Sequence, residues 1–286
     1  MFPDVPIATM RGHKGAVYDL AWDTHSESWF SAGGDGVVAR WLFGETDGQV
    51  LFQDASPFFA IAALEHLVLG GNSSGDLFVN GSGEHTVYNT HKAPIFSLFT
   101  DEKNLVWSGD GSGLICVWSR DGHRLRLEHQ WPTSLGKIRH LSAHPRGILV
   151  AGGSGHWGLL DRKNSSLTSC VKAHKRSCYW ALHLPHKRVV LSGGQDGHLS
   201  VHREEESLLN LNVHQSAVYR GVIQGQTLWT CGRDKDVKAW SLNSLDVVHK
   251  FNRPHSRSVN ALALGGPKGA HLATGSDDRS IKVWPL

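Results

Sequence analysis

A short cassette of turn and strand recurs seven times along the 286-residue chain, and this repetition is the strongest constraint on its fold. The clearest copies read SAGGDGVVARW, SGDGSGLICVW, TCGRDKDVKAW and TGSDDRSIKVW, with weaker copies between them. The seven copies end at Trp41, Asn80, Trp118, Asp161, His202, Trp240 and Trp284, in steps of 39, 38, 43, 41, 38 and 44 residues. A period of this length is typical of architectures in which each unit buries its apolar faces against its neighbours.

A second mark precedes five of the cassettes by 26 to 29 residues: a histidine followed by an apolar run. These histidines are His13, His91, His174, His214 and His255. Each unit then has the alternation and turn signals of four short strands, while helical periodicity is absent. The chain is rich in glycine, with 32 residues, which suits many tight turns.

These features predict an all-β, seven-bladed propeller that occupies residues 1–286 as one domain. A four-stranded unit of this size cannot bury both of its faces alone, so seven units are expected to stack radially into a closed ring. The last unit ends at Trp284 without a fourth strand, while Val5 to Met10 precedes the first histidine without a blade of its own. We therefore expect the N-terminal strand to close the ring.

The chain resembles the WD-repeat β-propeller family, whose repeats open with Gly-His and close with Trp-Asp or a variant. Gly12-His13 fits the opening, and Trp41, Trp118, Trp240 and Trp284 fit the closing tryptophan, although no aspartate follows any of them. The resemblance covers the whole chain.

The resemblance implies a buried tetrad in each blade, made of the opening His, a Ser or Thr, a turn Asp and the closing Trp. Three complete sets are His13, Ser31, Asp35 and Trp41; His214, Thr230, Asp234 and Trp240; and His255, Thr274, Asp278 and Trp284. Blade five has His174, Ser192 and Asp196, but His202 occupies the tryptophan position. Blade three has His91, Ser108 and Trp118, but Ser112 occupies the aspartate position. Blades two and four lack the set.

Motifs that resemble catalytic or cofactor sites are interpreted as turns. The G-x-S-x-G pattern at 71–75 and the G-x-G-x-x-G pattern at 153–158 both lack the helix that their chemistry requires. Cys170, His174 and Cys178 span a strand end, a loop and a new strand instead of one helix face, so no metal site is predicted. The sequence predicts neither an enzyme nor a cofactor.

The resemblance also places one side chain of each blade at the mouth of the central channel. These positions are Tyr18, Phe59, Phe96, Arg139, Tyr179, Tyr219 and Asn260. Aromatic residues and Arg are enriched at interface hot spots, so this ring, with Arg220 and Arg233 within reach of it, is the predicted partner-binding site. The alternative is that the aromatic side chains only plug the channel.

Charge is unevenly distributed although the net charge is only +3. Residues 1–143 carry 10 Lys/Arg against 16 Asp/Glu, net −6, and residues 144–286 carry 19 against 10, net +9. Cations on the loops of blades five to seven form a basic arc, which favours an acidic partner or is simply a solvated rim. They are Lys175, Arg176, Arg220, Arg233, Arg253 and Arg257.

The resulting functional prediction is a non-catalytic WD-repeat scaffold, a monomeric propeller that docks a protein or peptide at the channel mouth. The alternative is an anion or nucleic-acid binder, with the basic arc on phosphates and Tyr179, Trp180 and Tyr219 stacked on bases. A third class, a lactonase-like enzymatic propeller, requires inward carboxylate clusters that the channel positions do not supply. Four cysteines without a C-x-x-C pair and no apolar stretch of membrane-spanning length indicate a cytoplasmic protein away from membranes.

Overall fold

Seven antiparallel four-stranded sheets, here called blades one to seven, form a ring in the computed structural model, which describes residues 2–81, 83–162 and 166–286. The innermost strand of each blade packs against the innermost strand of the next, and the innermost strand of blade seven packs against that of blade one. The prediction of an all-β, seven-bladed propeller is confirmed.

The strands run outward from the channel in chain order within each of the first six blades. Blade one consists of β2 (Val17–Asp23), β3 (Ser28–Gly33), β4 (Val37–Leu42) and β5 (Gly48–Gln53). Blade two consists of β6 (Phe58–Leu64), β7 (Leu67–Asn72), β8 (Leu77–Gly81) and β9 (Glu84–Tyr88). Blade three consists of β10 (Ile95–Thr100), β11 (Val106–Asp110), β12 (Leu114–Asp121) and β13 (Arg124–Pro132). Blade four consists of β14 (Ile138–His144), β15 (Gly147–Gly152), β16 (His156–Asp161) and β17 (Ser166–Lys172).

The remaining three blades follow the same order until the last strand. Blade five consists of β18 (Cys178–Leu184), β19 (Val189–Gly194), β20 (His198–Arg203) and β21 (Glu206–Asn212). Blade six consists of β22 (Val218–Gln224), β23 (Thr227–Gly232), β24 (Val237–Ser241) and β25 (Val247–Lys250). Blade seven consists of β26 (Val259–Gly265), β27 (His271–Ser276) and β28 (Ser280–Pro285), with β1 (Ala8–Arg11) as its outer strand. Short 3-10 helices occupy Pro185–Lys187 and Pro267–Gly269, and in the described part of the chain no helix is long and apolar enough to cross a membrane.

The N-terminal strand closes the ring by pairing with the last strand of the chain. β1 runs antiparallel to β28, with Ala8 opposite Val283 and Arg11 opposite Ser280. The strand begins at Ala8 and not at Val5 as predicted, although the N–H of Ile7 still donates to the carbonyl of Val283 (2.8 Å).

Apolar side chains fill the spaces between blades. The cluster that joins blades seven and one contains Met10, Val17, Trp29, Trp41 and Ile281, each at most 2% exposed. Burial of such side chains contributes roughly 1.5–3 kcal/mol each, so the closing strand is held by its core contacts as well as its backbone ladder.

Five blades contain a buried histidine network. In blade one, Nδ1 of His13 lies 3.1 Å from the Asp35 carboxylate, its Nε2 lies 2.7 Å from Oγ of Ser31, and Nε1 of Trp41 donates to that oxygen (2.8 Å). Blades six and seven repeat this arrangement through His214, Thr230, Asp234 and Trp240, and through His255, Thr274, Asp278 and Trp284. Each network satisfies polar groups that would otherwise be unpaired in the core.

Blade five completes only part of this network. His174 bonds Asp196 (2.9 Å) and Ser192 (3.1 Å). His202 occupies the tryptophan position, but its Nδ1 is buried without a hydrogen-bond partner among the described residues. Burial and the nearby His174 lower the pKa of His202, so its ring stays neutral at physiological pH.

The prediction for blade three is wrong at one residue, because Asp110 supplies the carboxylate and Ser112 does not replace it. Nδ1 of His91 lies 2.8 Å from Oδ2 of Asp110, and Ser112 donates from its hydroxyl to Oδ1 (2.6 Å). In blade one the equivalent position is Gly33, where a Cβ would lie 2.3 Å from Oδ1 of Asp35. The carboxylate that bonds the histidine can therefore come from either of two sequence positions in the repeat, that of Asp35 in blade one or that of Asp110 in blade three.

Blade two uses a different polar group in place of the tetrad. The Asn72 side chain is fully buried, donates from Nδ2 to Asp76 (3.2 Å), and accepts the backbone N–H of Ser74 (3.0 Å). An amide can satisfy this turn without a histidine, because it both donates and accepts.

Candidate functional site

A β-bulge in the innermost strand of every blade shapes the channel mouth. In β2 the pairing with β3 shifts register between Val17 and Asp19, which leaves Tyr18 outside the ladder. The same shift occurs in the other six blades at Phe59, Phe96, Arg139, Tyr179, Tyr219 and Asn260. Bulges re-aim the side chain of the extra residue, and here they do so seven times around one axis.

The seven bulged residues line a single open cavity of about 410 Å³. Arg220 and Asp277 complete its lining. The structure therefore brings together all seven positions predicted for the mouth, from seven different blades. Arg233 is exposed and lies outside the lining, although its charge still acts on the Tyr219 hydroxyl.

The five aromatic side chains form two groups of ring contacts. Tyr18 meets Phe59 edge-on with centroids 5.1 Å apart, Phe59 stacks on Phe96 at 5.3 Å, and Tyr179 meets Tyr219 edge-on at 5.2 Å. All five are partly exposed. Contacts of this kind hold rings in defined positions, so a ligand would meet a preformed apolar surface.

Arg139 separates the two aromatic groups. Its guanidinium carbon lies 4.8 Å from the centroid of Phe96 and 5.3 Å from that of Tyr179. Burial lowers the pKa of Arg139, while an arginine still remains a cation at neutral pH. The side chain is thus a charged group held between two rings.

An ion pair joins Arg220, a lining residue of the cavity, to a blade that is not its neighbour in the ring. Arg220 of blade six contacts the carboxylate of Asp19 in blade one, although blade seven lies between these two blades. The same carboxylate accepts the backbone N–H groups of Leu20 (3.0 Å) and Ile61 (3.1 Å). The expectation that Arg220 is a free cation of the basic arc is therefore wrong, because its charge is compensated within the protein.

Asp277 is a lining residue that the sequence analysis missed. Its carboxylate accepts a hydrogen bond from Nδ2 of Asn260 (2.7 Å). Burial raises the pKa of both Tyr18 and Tyr219, and the Asp277 charge raises them further. The sequence did contain a signal for this residue. Asp277 and Asp278 are adjacent, and the tetrad of blade seven uses only Asp278, which leaves Asp277 available for the channel mouth.

The other cations of the basic arc lie on the surface loops. Lys175, Arg176, Arg233, Arg253 and Arg257 are all exposed. Trp180, in contrast, is fully buried, so the expectation that it stacks on a base is wrong.

The residues of the discounted metal pattern do not converge. Cys170 is exposed, whereas Cys178 is buried, and Nδ1 of His174 is occupied by Asp196. Among the described residues, the group close enough to share an ion is His214, Asp234 and Asp236. His214 and Asp234 are already hydrogen-bonded to each other (2.9 Å) as part of the blade-six network.

Comparison with known proteins finds a matching family model and individual proteins of similar sequence. The family model "WD domain, G-beta repeat" matches residues 4–41 and 246–285, the regions that meet where the ring closes. Along the chain, a striatin homolog of Dictyostelium discoideum is 21% identical over 97% of the chain, and mouse striatin-4 is 22% identical over 98%. A THO complex subunit 6 homolog of Danio rerio is 21% identical over 57% of the chain and 57% of its own length.

The chain spans about a third of the length of the two striatin proteins, 34% and 36% respectively. With the histidine networks and the seven-bladed ring, these matches support the assignment of the chain to the WD-repeat family.

Proposed function

We propose that this protein is a non-catalytic interaction scaffold that docks a protein or peptide segment in the channel mouth. The observation that carries the proposal is the convergence of seven bulged side chains, five of them aromatic, on one open cavity. Large rigid rings bury much surface at a small entropy cost, and aromatic residues and Arg dominate interface hot spots.

The setting of the cavity supports the same function. The rings are partly exposed, so a partner can reach them, and the Tyr219→Ala measurement below separates docking from the alternative that these partly buried rings only plug the channel. The WD-repeat family is generally non-catalytic. We place the protein in the cytoplasm because all four cysteines are free, including the exposed Cys170, as is usual in a reducing compartment.

Tyr219→Ala is expected to weaken peptide binding by about 2 kcal/mol, or about 30-fold in Kd, because it truncates an aromatic side chain that lines the cavity. Peptides selected from a random display library on the wild-type protein provide the probe, and isothermal titration measures the affinity. The free energy of unfolding should change by less than about 1 kcal/mol, since the ring is partly exposed.

Phe43→Ala is the matched control for this measurement. Phe43 is a partly exposed aromatic that follows β4, at the opposite end of blade one from the mouth, and it contacts His271 (4.9 Å). Its removal should leave peptide affinity unchanged. Unchanged affinity in Tyr219→Ala, or an unfolding loss of about 3 kcal/mol or more in that variant, would show that the ring is structural and the mouth is not the docking site.

The nucleic-acid alternative makes a different prediction about salt. Single-stranded DNA of mixed sequence, bound along the exposed cations of the basic arc, should lose at least an order of magnitude in affinity between about 50 mM and about 200 mM salt. A peptide held by the aromatic rings should lose much less. Tight, salt-sensitive DNA binding that is indifferent to Tyr219→Ala would favour the alternative.

A further inference from the structure

One cation of the cavity lining has no ion-pair partner among the described residues. Arg220 is paired with Asp19, and Asp277 accepts a hydrogen bond from Asn260. Arg139 forms no ion pair within the described part of the chain, and its Nε is buried without a hydrogen-bond acceptor. Its close neighbours in the cavity are rings, not carboxylates.

An arginine that lines a cavity without an ion-pair partner is suited to bind an anion. An anion in the cavity would gain a charge-assisted contact with this guanidinium, whose charge no carboxylate of the described residues balances. The flanking rings of Phe96 and Tyr179 hold the guanidinium in place, so little side-chain freedom remains to be lost on binding.

Resting on the docking function proposed above, we propose that the occupant inserts one carboxylate side chain, Asp or Glu, onto Arg139. A single negative charge fits better than a doubly charged phosphate, because Arg139 is the one unpaired cation among the described lining residues and Asp277 shares the cavity.

The position of Arg139 also indicates where the acidic residue lies in the partner. Tyr18, Phe59 and Phe96 lie on one side of the guanidinium, and Tyr179 and Tyr219 lie on the other. A segment that covers both groups needs apolar residues before and after its carboxylate. The occupant is therefore an internal acidic residue with apolar neighbours on both sides, and not a chain end.

The test is a charge-deletion cycle on peptides selected from a random display library with the wild-type protein. The selected peptides should be enriched in one Asp or Glu between apolar residues. Replacement of that residue by Asn or Gln should weaken binding to the wild type about 30-fold. Binding to Arg139→Gln should be equally weak for the acidic and the amide peptide.

Two further variants separate recognition from folding. Arg139→Lys keeps the charge but loses the planar fork, so it should retain a preference for the acidic peptide that is smaller than in the wild type. Arg257→Gln removes an exposed cation outside the cavity lining and should leave the preference unchanged.

The possible failures are distinguishable. Selected peptides that need Tyr219 but show no acidic preference would overturn the carboxylate proposal and leave the docking function intact. Peptides indifferent to both Tyr219→Ala and Arg139→Gln would overturn both. A preference confined to the free C-terminal carboxylate, or to phosphorylated over acidic peptides, would also contradict the internal Asp or Glu proposed here.

Discussion

Asp110→Ala is expected to lower the free energy of unfolding by about 3 kcal/mol, because it removes the acceptor of several buried donors at once. The Asp110 side chain is completely inaccessible and accepts hydrogen bonds from His91 (2.8 Å), from Ser112, and from the backbone N–H of Leu114 (3.0 Å). Burial alone would raise the pKa of Asp110, but the bonds from His91 and Ser112 outweigh it and hold the pKa below its ordinary value. Urea unfolding followed by tryptophan fluorescence measures the loss.

Asp121→Ala, at an exposed aspartate of the same blade, is the control and should change stability by no more than about 0.5 kcal/mol. A loss in Asp110→Ala as small as that of the control would show that the carboxylate does not serve the His91 network.

Ser112→Asp distinguishes the two possible sources of the carboxylate in blade three. A blade that lacked an acceptor would gain stability from it. Since Asp110 already bonds His91, a second carboxylate would instead replace the Ser112 hydroxyl that donates to Asp110 (2.6 Å) and would repel it. We expect a loss of about 1–2 kcal/mol in the same unfolding experiment, and a gain would restore the sequence-based interpretation.

The blade number and the ring closure could be predicted from sequence because both follow from the spacing of the repeat. A cassette that ends at Trp284 without a following strand, and an unassigned strand before His13, leave one consistent topology. The mouth positions could also be predicted, since the five in blades with an opening histidine each follow that histidine by five residues, and all seven fall on a bulge.

Two contacts could not be predicted from the repeat. One joins residues of different repeats, and in the other the carboxylate occupies an unusual position within its repeat. Asp19 and Arg220 are 201 residues apart and meet only because the ring brings blades one and six within reach across the channel. Asp110 lies two residues before the position that the repeat assigns to its carboxylate. The sequence pattern of one repeat cannot indicate these contacts. The ion pair depends on the diameter of the closed ring, and the carboxylate of blade three comes from a different sequence position than in blade one.

Mild acid is expected to destabilise the protein through His140, which follows Arg139 in the innermost strand of blade four. Burial, reinforced by the Arg220 cation, lowers the pKa of His140 to about 3. An unfolded histidine titrates near pH 6.5, so between these two values the unfolded chain takes up a proton that the folded protein excludes. The free energy of unfolding must therefore fall as the pH falls, by about 3 kcal/mol between pH 7 and pH 4 from this residue alone.

His140→Gln removes the titration and puts an uncharged polar side chain in its place. The variant should be less stable than the wild type at pH 7 and approach or exceed it at pH 4, with the difference measured by urea unfolding at each pH. The tetrad carboxylates, whose pKa values are lowered in the folded protein, begin to lose their contribution near pH 5, but this loss is common to both proteins and cancels in their difference. Parallel stability curves for the two proteins from pH 7 to pH 4 would show that His140 takes up its proton in the folded state. A second cation would then form close to Arg220, which is already paired with Asp19.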